Sequence, residues 1–225
     1  MITLQKVFSD TVWRRLAVAF VLFAVPVFMF VELAEEVREK ETQTVDEGVL
    51  LLINGTASPQ LDAAMAGLTH LGGVWAVALI TVGLAMVLWQ KQLLRMAALL
   101  AVTVGGAATI NILLKALFQR DRPELWERIV TENSYSFPSG HAMASSALAL
   151  GLMVIFWPTR WRWLAVVIGC IYMVIVGFTR LYLGVHYPTD VVAGWLVSAA
   201  WVTVAAVTLQ YPRWAKPEAK QLDGR

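Results

Sequence analysis

The sequence predicts an all-α membrane protein, a bundle of six transmembrane helices. Two observations carry this. Of 225 residues 58% are hydrophobic and only 15% are charged, with a mean hydropathy of +0.64, which is too apolar for an ordinary soluble domain. Six apolar runs then stand out, near 13–31, 71–89, 96–114, 142–157, 163–179 and 191–209, and none carries a charged side chain except Arg14 and Arg15 at the start of the first. A bilayer needs roughly 20 apolar residues in a helix, with about 17 workable, so each run can span. No second domain is visible, and 1–225 reads as a single domain.

The first run has the outline of a secretory leader, because Arg14-Arg15 precedes the apolar stretch. Its end, Phe30-Val31-Glu32-Leu33-Ala34, lacks the small residue that cleavage requires at the −3 position, so it reads as a membrane anchor. Residues 32–47 read as a solvated acidic helix, with Glu36 and Lys40 one turn apart. Ser58-Pro59 reads as an N-cap followed by proline at the first helical position. Leu61, Met65 and Leu68 then line one side of a short interfacial helix between the first two spans. Gly105-Gly106 suits close helix packing, Asn111 a helix–helix hydrogen bond, and Trp126, Trp161, Trp163 and Trp214 anchoring at the membrane boundary. Arg120 and Asp121 read as a pair with each other or with water, and His70 as a structural residue near a helix end.

Basic residues set the expected orientation. With both termini inside, the inner face carries Lys6, Arg14, Arg15, Lys91, Arg95, Arg160, Arg162, Arg213, Lys216, Lys220 and Arg225. The outer face keeps Arg38, Lys40, Arg120 and Arg128, besides three cations at helix ends. This N-in, C-in arrangement brings three charged clusters to the outer face. Lys115 and Arg122-Pro123 close the third run, Pro138-Ser139-Gly140-His141 opens the fourth, and Arg180, His186 and Asp190 lie between the fifth and sixth. Charge beside hydrocarbon is costly, so groups gathered there call for a chemical reason.

The residue types suit cleavage of a phosphate ester or anhydride. Lys115 and Arg122, seven apart, would share one side of a continuing helix. Gly140 would let the backbone approach a ligand, and the free N–H groups of the helix start would favour an anion. Asp190, four residues after His186 and just past Pro188, would accept an imidazole N–H and leave the other nitrogen free to attack phosphorus. His141 would protonate the leaving oxygen and then activate water. Lys115, Arg122, Arg180, the Ser139 hydroxyl and the Gly140 N–H would hold the non-bridging oxygens. One carboxylate among the clusters gives no metal cage, so no metal and no cofactor are expected. A net charge of +2 without a basic stripe argues against nucleic acid, and the lone Cys170 excludes an intrachain disulfide.

The ordered pattern K-x6-R-P, P-S-G-H and S-R-x5-H-x3-D resembles that of the type 2 phosphatidic acid phosphatases, a superfamily that includes the vanadium-dependent haloperoxidases. It reads here Lys115…Arg122-Pro123, Pro138-Ser139-Gly140-His141 and Thr179-Arg180…His186…Asp190, with Thr179 in place of the usual serine. Leu68-Thr69-His70-Leu71-Gly72 resembles a segment of the short bacterial members that act on phosphatidylglycerophosphate or undecaprenyl diphosphate. The resemblance implies metal-independent chemistry with the roles just given, on a lipid phosphate or diphosphate that enters sideways from the bilayer. It also implies a multi-pass protein of the bacterial inner membrane, with its site facing the periplasm. A phosphotransferase using the same phosphohistidine is the alternative, followed by a non-enzymatic lipid binder or transporter. Six spans suit a haloperoxidase poorly. Oligomeric state is left open.

Overall fold

A computed structural model describes residues 4–214, with side chains from 13 to 209. The expectations placed on Lys6, Arg213, Trp214, Lys216, Lys220 and Arg225 lie outside the residues described to side-chain level. The described chain is helical: α1 (Leu4–Arg38), α2 (Gln43–Asn54), α3 (Pro59–Thr69), a 3₁₀ turn (His70–Gly72), α4 (Val74–Gln90), α5 (Leu94–Phe118), α6 (Gly140–Phe156), α7 (Arg162–Tyr182) and α8 (Pro188–Trp214).

Four described helices (α1, α5, α7 and α8) are long and apolar enough to cross a bilayer. A fifth crossing results if α3 and α4, bent by 45° at the 3₁₀ turn, count as one broken span. The fourth run of the sequence forms α6, which has only 17 residues and falls short of the other spans. Its composition explains how a short helix can occupy the centre. Ala142, Ser145, Ser146, Ala147, Ala149 and Gly151 are buried, so neighbouring backbones come close. Around it pack α5, α7 and α8, while α1 lies against α8 and α4 against α5.

The connection after the first run differs from expectation. Instead of one solvated helix over 32–47, α1 continues to Arg38, the chain turns at Lys40 with φ 63°, and α2 begins at Gln43. Lys40 therefore does not share a helix with Glu36. The cause is on α2, where Asp46 and Leu50, one turn apart, are both buried and hold that helix against the protein. The Ser58 cap forms as expected, its hydroxyl accepting the Leu61 N–H at 3.4 Å with Pro59 next in the chain. On α3, Met65 packs against buried Tyr182, Leu183 and Val185, while Leu61 and Leu68 stay exposed.

Two core clusters place the site. Val77, Leu99, Leu100, Leu148, Ile155, Ala205 and Ala206 join α4, α5, α6 and α8. Ala34, Val37, Phe137 and Ala193, with Phe30 and Phe118 packed on them, tie α1 and α8 to the loop before α6. Phe137 stacks on Phe30 at 5.9 Å and meets Phe118 edge-on at 4.9 Å. Of the glycine pair, Gly106 lies under the Trp201 ring, where a Cβ would clash, whereas Gly105 faces open space.

Candidate active site

α5 ends at Phe118 because Gln119 adopts a left-handed conformation (φ 47°) and returns its N–H to the Lys115 carbonyl. Arg122 therefore does not continue that helix, contrary to the helical reading of the seven-residue spacing. It reaches Lys115 through the loop, since both cations bind Ser134. Lys115 Nζ donates to its hydroxyl at 3.2 Å, and Arg122 Nε donates to its carbonyl at 2.7 Å. Lys115 also donates to the Tyr135 carbonyl. The Ser136 N–H, bonded to the Arg120 carbonyl at 2.8 Å, closes the loop on itself.

The Pro138-Ser139-Gly140-His141 segment is the start of α6. The Ser139 hydroxyl accepts the Ala142 N–H at 3.4 Å as the N-cap, and the Ser139 N–H donates to the Asp190 carbonyl at 3.0 Å. Gly140 also packs closely on α5: a Cβ there would sit 3.0 Å from Asn111 Oδ1, which would have to give way. Asn111 bonds the Pro138 carbonyl at 3.0 Å and Met143 Sδ at 3.1 Å, so it ties α5 to this turn and not only to a helix. His141 is partly exposed, among the charges of Arg180, Glu132, Arg122 and Lys115. Gly73, at the start of α4, comes so close that a Cβ on it would lie 3.8 Å from His141 Nε2.

His186 lies in the turn between α7 and α8 and is 1% exposed. Its Nδ1 is 3.3 Å from Asp190 Oδ2 and 3.3 Å from Ser136 Oγ, while Arg122 Nη1 is 3.1 Å from Nε2. A guanidinium has only donors, so Nε2 is the accepting nitrogen and Nδ1 carries the proton. Burial, then the charges of Arg122, Arg180 and Lys115, hold His186 well below the ordinary histidine value. For Arg122, burial and Arg180 act against the opposing pull of Glu132 and bring it to about 10, so it stays charged at neutral pH.

The structure thus brings together the predicted Lys115, Arg122, Ser139, Gly140, His141, Arg180, His186 and Asp190. Thr179 does not point its hydroxyl into the site but returns it to the Val176 carbonyl at 2.7 Å. His70 is exposed, at the end of α3.

Four polar residues at the site had no site role in the sequence reading. Glu132 binds Arg180 through Oε1 and lies 3.8 Å from Arg122 through Oε2. Burial would raise its carboxyl, but Arg180 and then Arg122 outweigh that and hold it below its usual value. Ser136 donates its hydroxyl to Asp190 Oδ2. Arg120, expected to pair with Asp121 or water, instead bridges Asp190 at 2.7 Å and Asp46 at 2.8 Å. Asp46 left one trace in the sequence, a carboxylate four residues before Leu50 on the apolar side of α2. Trp126 also differs from a simple membrane anchor, because it covers Gly184, whose φ of +66° and close approach leave no room for a side chain.

Among the described residues no three His, Cys, Asp or Glu side chains gather in a way that could hold a metal ion. The donor set is instead cationic, with three basic side chains converging on two imidazoles, and it suits an anion.

These features define an all-helical membrane protein with a cationic, histidine-centred site at the helix ends. The sequence profile of the PAP2 superfamily matches residues 93–214, and the chain belongs to that superfamily. It is 30% identical to phosphatidylglycerophosphatase B of Bacillus subtilis (strain 168) over 173 residues, 73% of this chain and 83% of the relative. It is 40% identical to an undecaprenyl-diphosphatase of Sulfolobus acidocaldarius over 76 residues, 34% of each chain. The fold is similar to the crystal structure of the transmembrane PAP2 type phosphatidylglycerolphosphate phosphatase from Bacillus subtilis. The TM-score is 0.79 at 24% identity, covering 88% of this chain and 99% of that one.

Proposed function

We propose that the protein hydrolyses a lipid phosphate or diphosphate through a phosphohistidine on His186, without a metal ion, at the outer face of a bacterial inner membrane. The observation that carries the reading is the arrangement around one imidazole, with Nδ1 on Asp190 and Nε2 accepting from Arg122. That is the tautomer a nucleophile needs, and the cation already lies where a phosphoryl oxygen would be held.

In this mechanism Nε2 attacks phosphorus and the bond to the leaving oxygen breaks, while His141 gives that oxygen a proton. His141 then takes a proton from water, whose oxygen attacks the phosphohistidine. The N–P bond breaks with its electrons returning to Nε2, and phosphate leaves. Asp190 keeps Nδ1 protonated and balances the positive charge that the imidazole gains. Lys115, Arg122, Arg180, the Ser139 hydroxyl and the Gly140 N–H hold the non-bridging oxygens.

Undecaprenyl diphosphate, phosphatidylglycerophosphate or both are the proposed substrates, since the names of two relatives point to them. The tail would enter sideways from the bilayer, and an apolar cleft of about 250 Å³ between α1, α5 and α8, lined by Phe30, Leu114 and Trp201 among others, offers a surface for it. Six spans with both termini inside and one domain over 1–225 complete the proposal. Arg14, Arg15, Lys91, Arg95, Arg160 and Arg162 on the inner side support the orientation.

The test is phosphate release by purified protein in detergent, from a panel of lipid phosphates and diphosphates, in EDTA. Turnover should persist. Loss in EDTA would refute the metal-free mechanism, and strict dependence on an added lipid acceptor would make the protein a phosphotransferase.

A further inference from the structure

We propose that Asp46, acting through Arg120, is a positioning residue for the His186–Asp190 pair. This would bring α2 into the reaction machinery, although α2 lies outside the segment matched by the superfamily profile. The inference rests on His186 being the nucleophile.

Arg120 lies between two buried carboxylates. Its Nη1 is 2.7 Å from Asp190 Oδ1 and its Nη2 is 2.8 Å from Asp46 Oδ2, with side-chain exposures of 0% for Asp190 and 2% for Asp46. Thr189 closes the ring. Its hydroxyl accepts from Arg120 Nη1 at 2.8 Å and donates to Asp46 Oδ2 at 2.6 Å, and its N–H donates to Asp46 Oδ1 at 3.1 Å. The guanidinium also lies 4.0 Å above the Tyr187 ring, and the Tyr187 hydroxyl accepts from Gln43 on α2 at 3.2 Å. Both carboxylate oxygens of Asp46 are therefore spent on the first turn of α8 and on Arg120.

The charge count explains why a second carboxylate is useful. Arg120, the Ser136 hydroxyl and the Tyr187 N–H hold Asp190 in place. Arg120 alone would also cancel the charge that Asp190 must present to the imidazole as phosphorus bonds to Nε2. Asp46 engages the other nitrogen of the same guanidinium and leaves the trio with one net negative charge. In a buried setting such charges are weakly screened, so the balance reaches His186. Orientation of Asp190 is thus separated from neutralisation of it.

The test is Asp46→Asn in the full-length protein in detergent, which keeps the shape of the side chain and removes its charge. The groups facing His186, namely Arg122, Arg180, Lys115, His141 and Asp190, stay as they are, as does Glu132 behind the arginines. Expected are a kcat reduced about tenfold or more, a KM within twofold, and an acid limb of kcat moved to lower pH, because a positive imidazole has lost support. A wild-type kcat, or a lowered kcat with an unmoved acid limb, overturns the inference, the second result being what a merely structural Asp46 would give. Should D46N not fold, Arg120→Lys serves, since an ammonium cannot span both carboxylates. The same split between kcat and KM is expected, and a wild-type kcat overturns the inference. His186→Ala separates the two readings. An inactive H186A beside a wild-type-like D46N removes this inference alone, and an active H186A removes both.

Discussion

Arg122 Nη1 lies 3.1 Å from His186 Nε2, so a cation occupies the direction from which phosphorus would be attacked. The guanidinium satisfies the imidazole lone pair. A phosphate between them would take over its N–H groups. Arg122→Gln should therefore weaken inhibition by orthovanadate or inorganic phosphate at least tenfold and lower kcat, while Lys115 and Arg180 remain. Inhibition constants measured beside kcat check this, and unchanged vanadate inhibition would remove Arg122 from the phosphate cradle.

The two histidines should fail differently. His186→Ala is expected to abolish turnover, whereas His141→Ala is expected to lose about 10²–10⁴-fold in kcat, the range of one proton-transfer catalyst. Because His141 also activates water, the H141A protein should accumulate an acid-labile, base-stable phosphoenzyme when given ³²P-labelled substrate. H186A should show none. A phosphoenzyme in H186A would assign the nucleophile elsewhere.

The pH dependence follows from His186. Its value is held well below 6.5 by burial and then by Arg122, Arg180 and Lys115, so Nε2 stays unprotonated into mildly acidic solution. The acid limb of kcat/KM, which reports the free enzyme, should fall below pH 6.5, and Glu132→Gln, which removes the carboxylate paired with Arg180 and Arg122, should move it lower still. The unfolded chain binds a proton at His186 that the folded chain refuses, so this contribution to stability is present above about pH 6.5 and is lost progressively as pH falls below it. Thermal unfolding in detergent between pH 5 and 8 checks the second statement, and a kcat/KM profile the first.

Phe137 connects packing to the site. It is fully buried, touches Phe30 and Phe118, and is followed directly by Pro138-Ser139-Gly140-His141. Phe137→Ala should cost about 3–5 kcal/mol of stability, the usual loss for a buried aromatic ring. It should also lower kcat, because α1 would no longer press the loop into place. A Tm unchanged in detergent would mean that α1 does not support the loop.

Much of the site was legible because its parts carry chemistry in unlikely places. Lys115, Arg122, His141, Arg180, His186 and Asp190 stand at the ends of apolar runs, and the i, i+4 spacing of His186 and Asp190 across the turn into α8 was enough to pair them. The capping role of Ser58 was legible too, as local geometry acting over three residues, whereas the cap that Ser139 forms on Ala142 came only with the structure. Arg122 reaches Lys115 through the loop and Ser134, not along a helix, since α5 stops at Phe118.

Those successes share a physical basis: hydrophobicity, capping and periodicity act over one or two turns, and a single chain displays them. Hence the helical class, the apolar runs and the three motifs are properties of the sequence. Partners distant along the chain leave no such trace. Asp46 meets Thr189 across 143 positions, Arg120 meets Asp190 across 70, and Glu132 meets Arg180 across 48. Whether a charge there is solvated or becomes part of the site depends on which helices pack together. That is decided by burial, through the small residues of α6 and the apolar face of α2, and only the folded chain brings those charges within hydrogen-bonding distance.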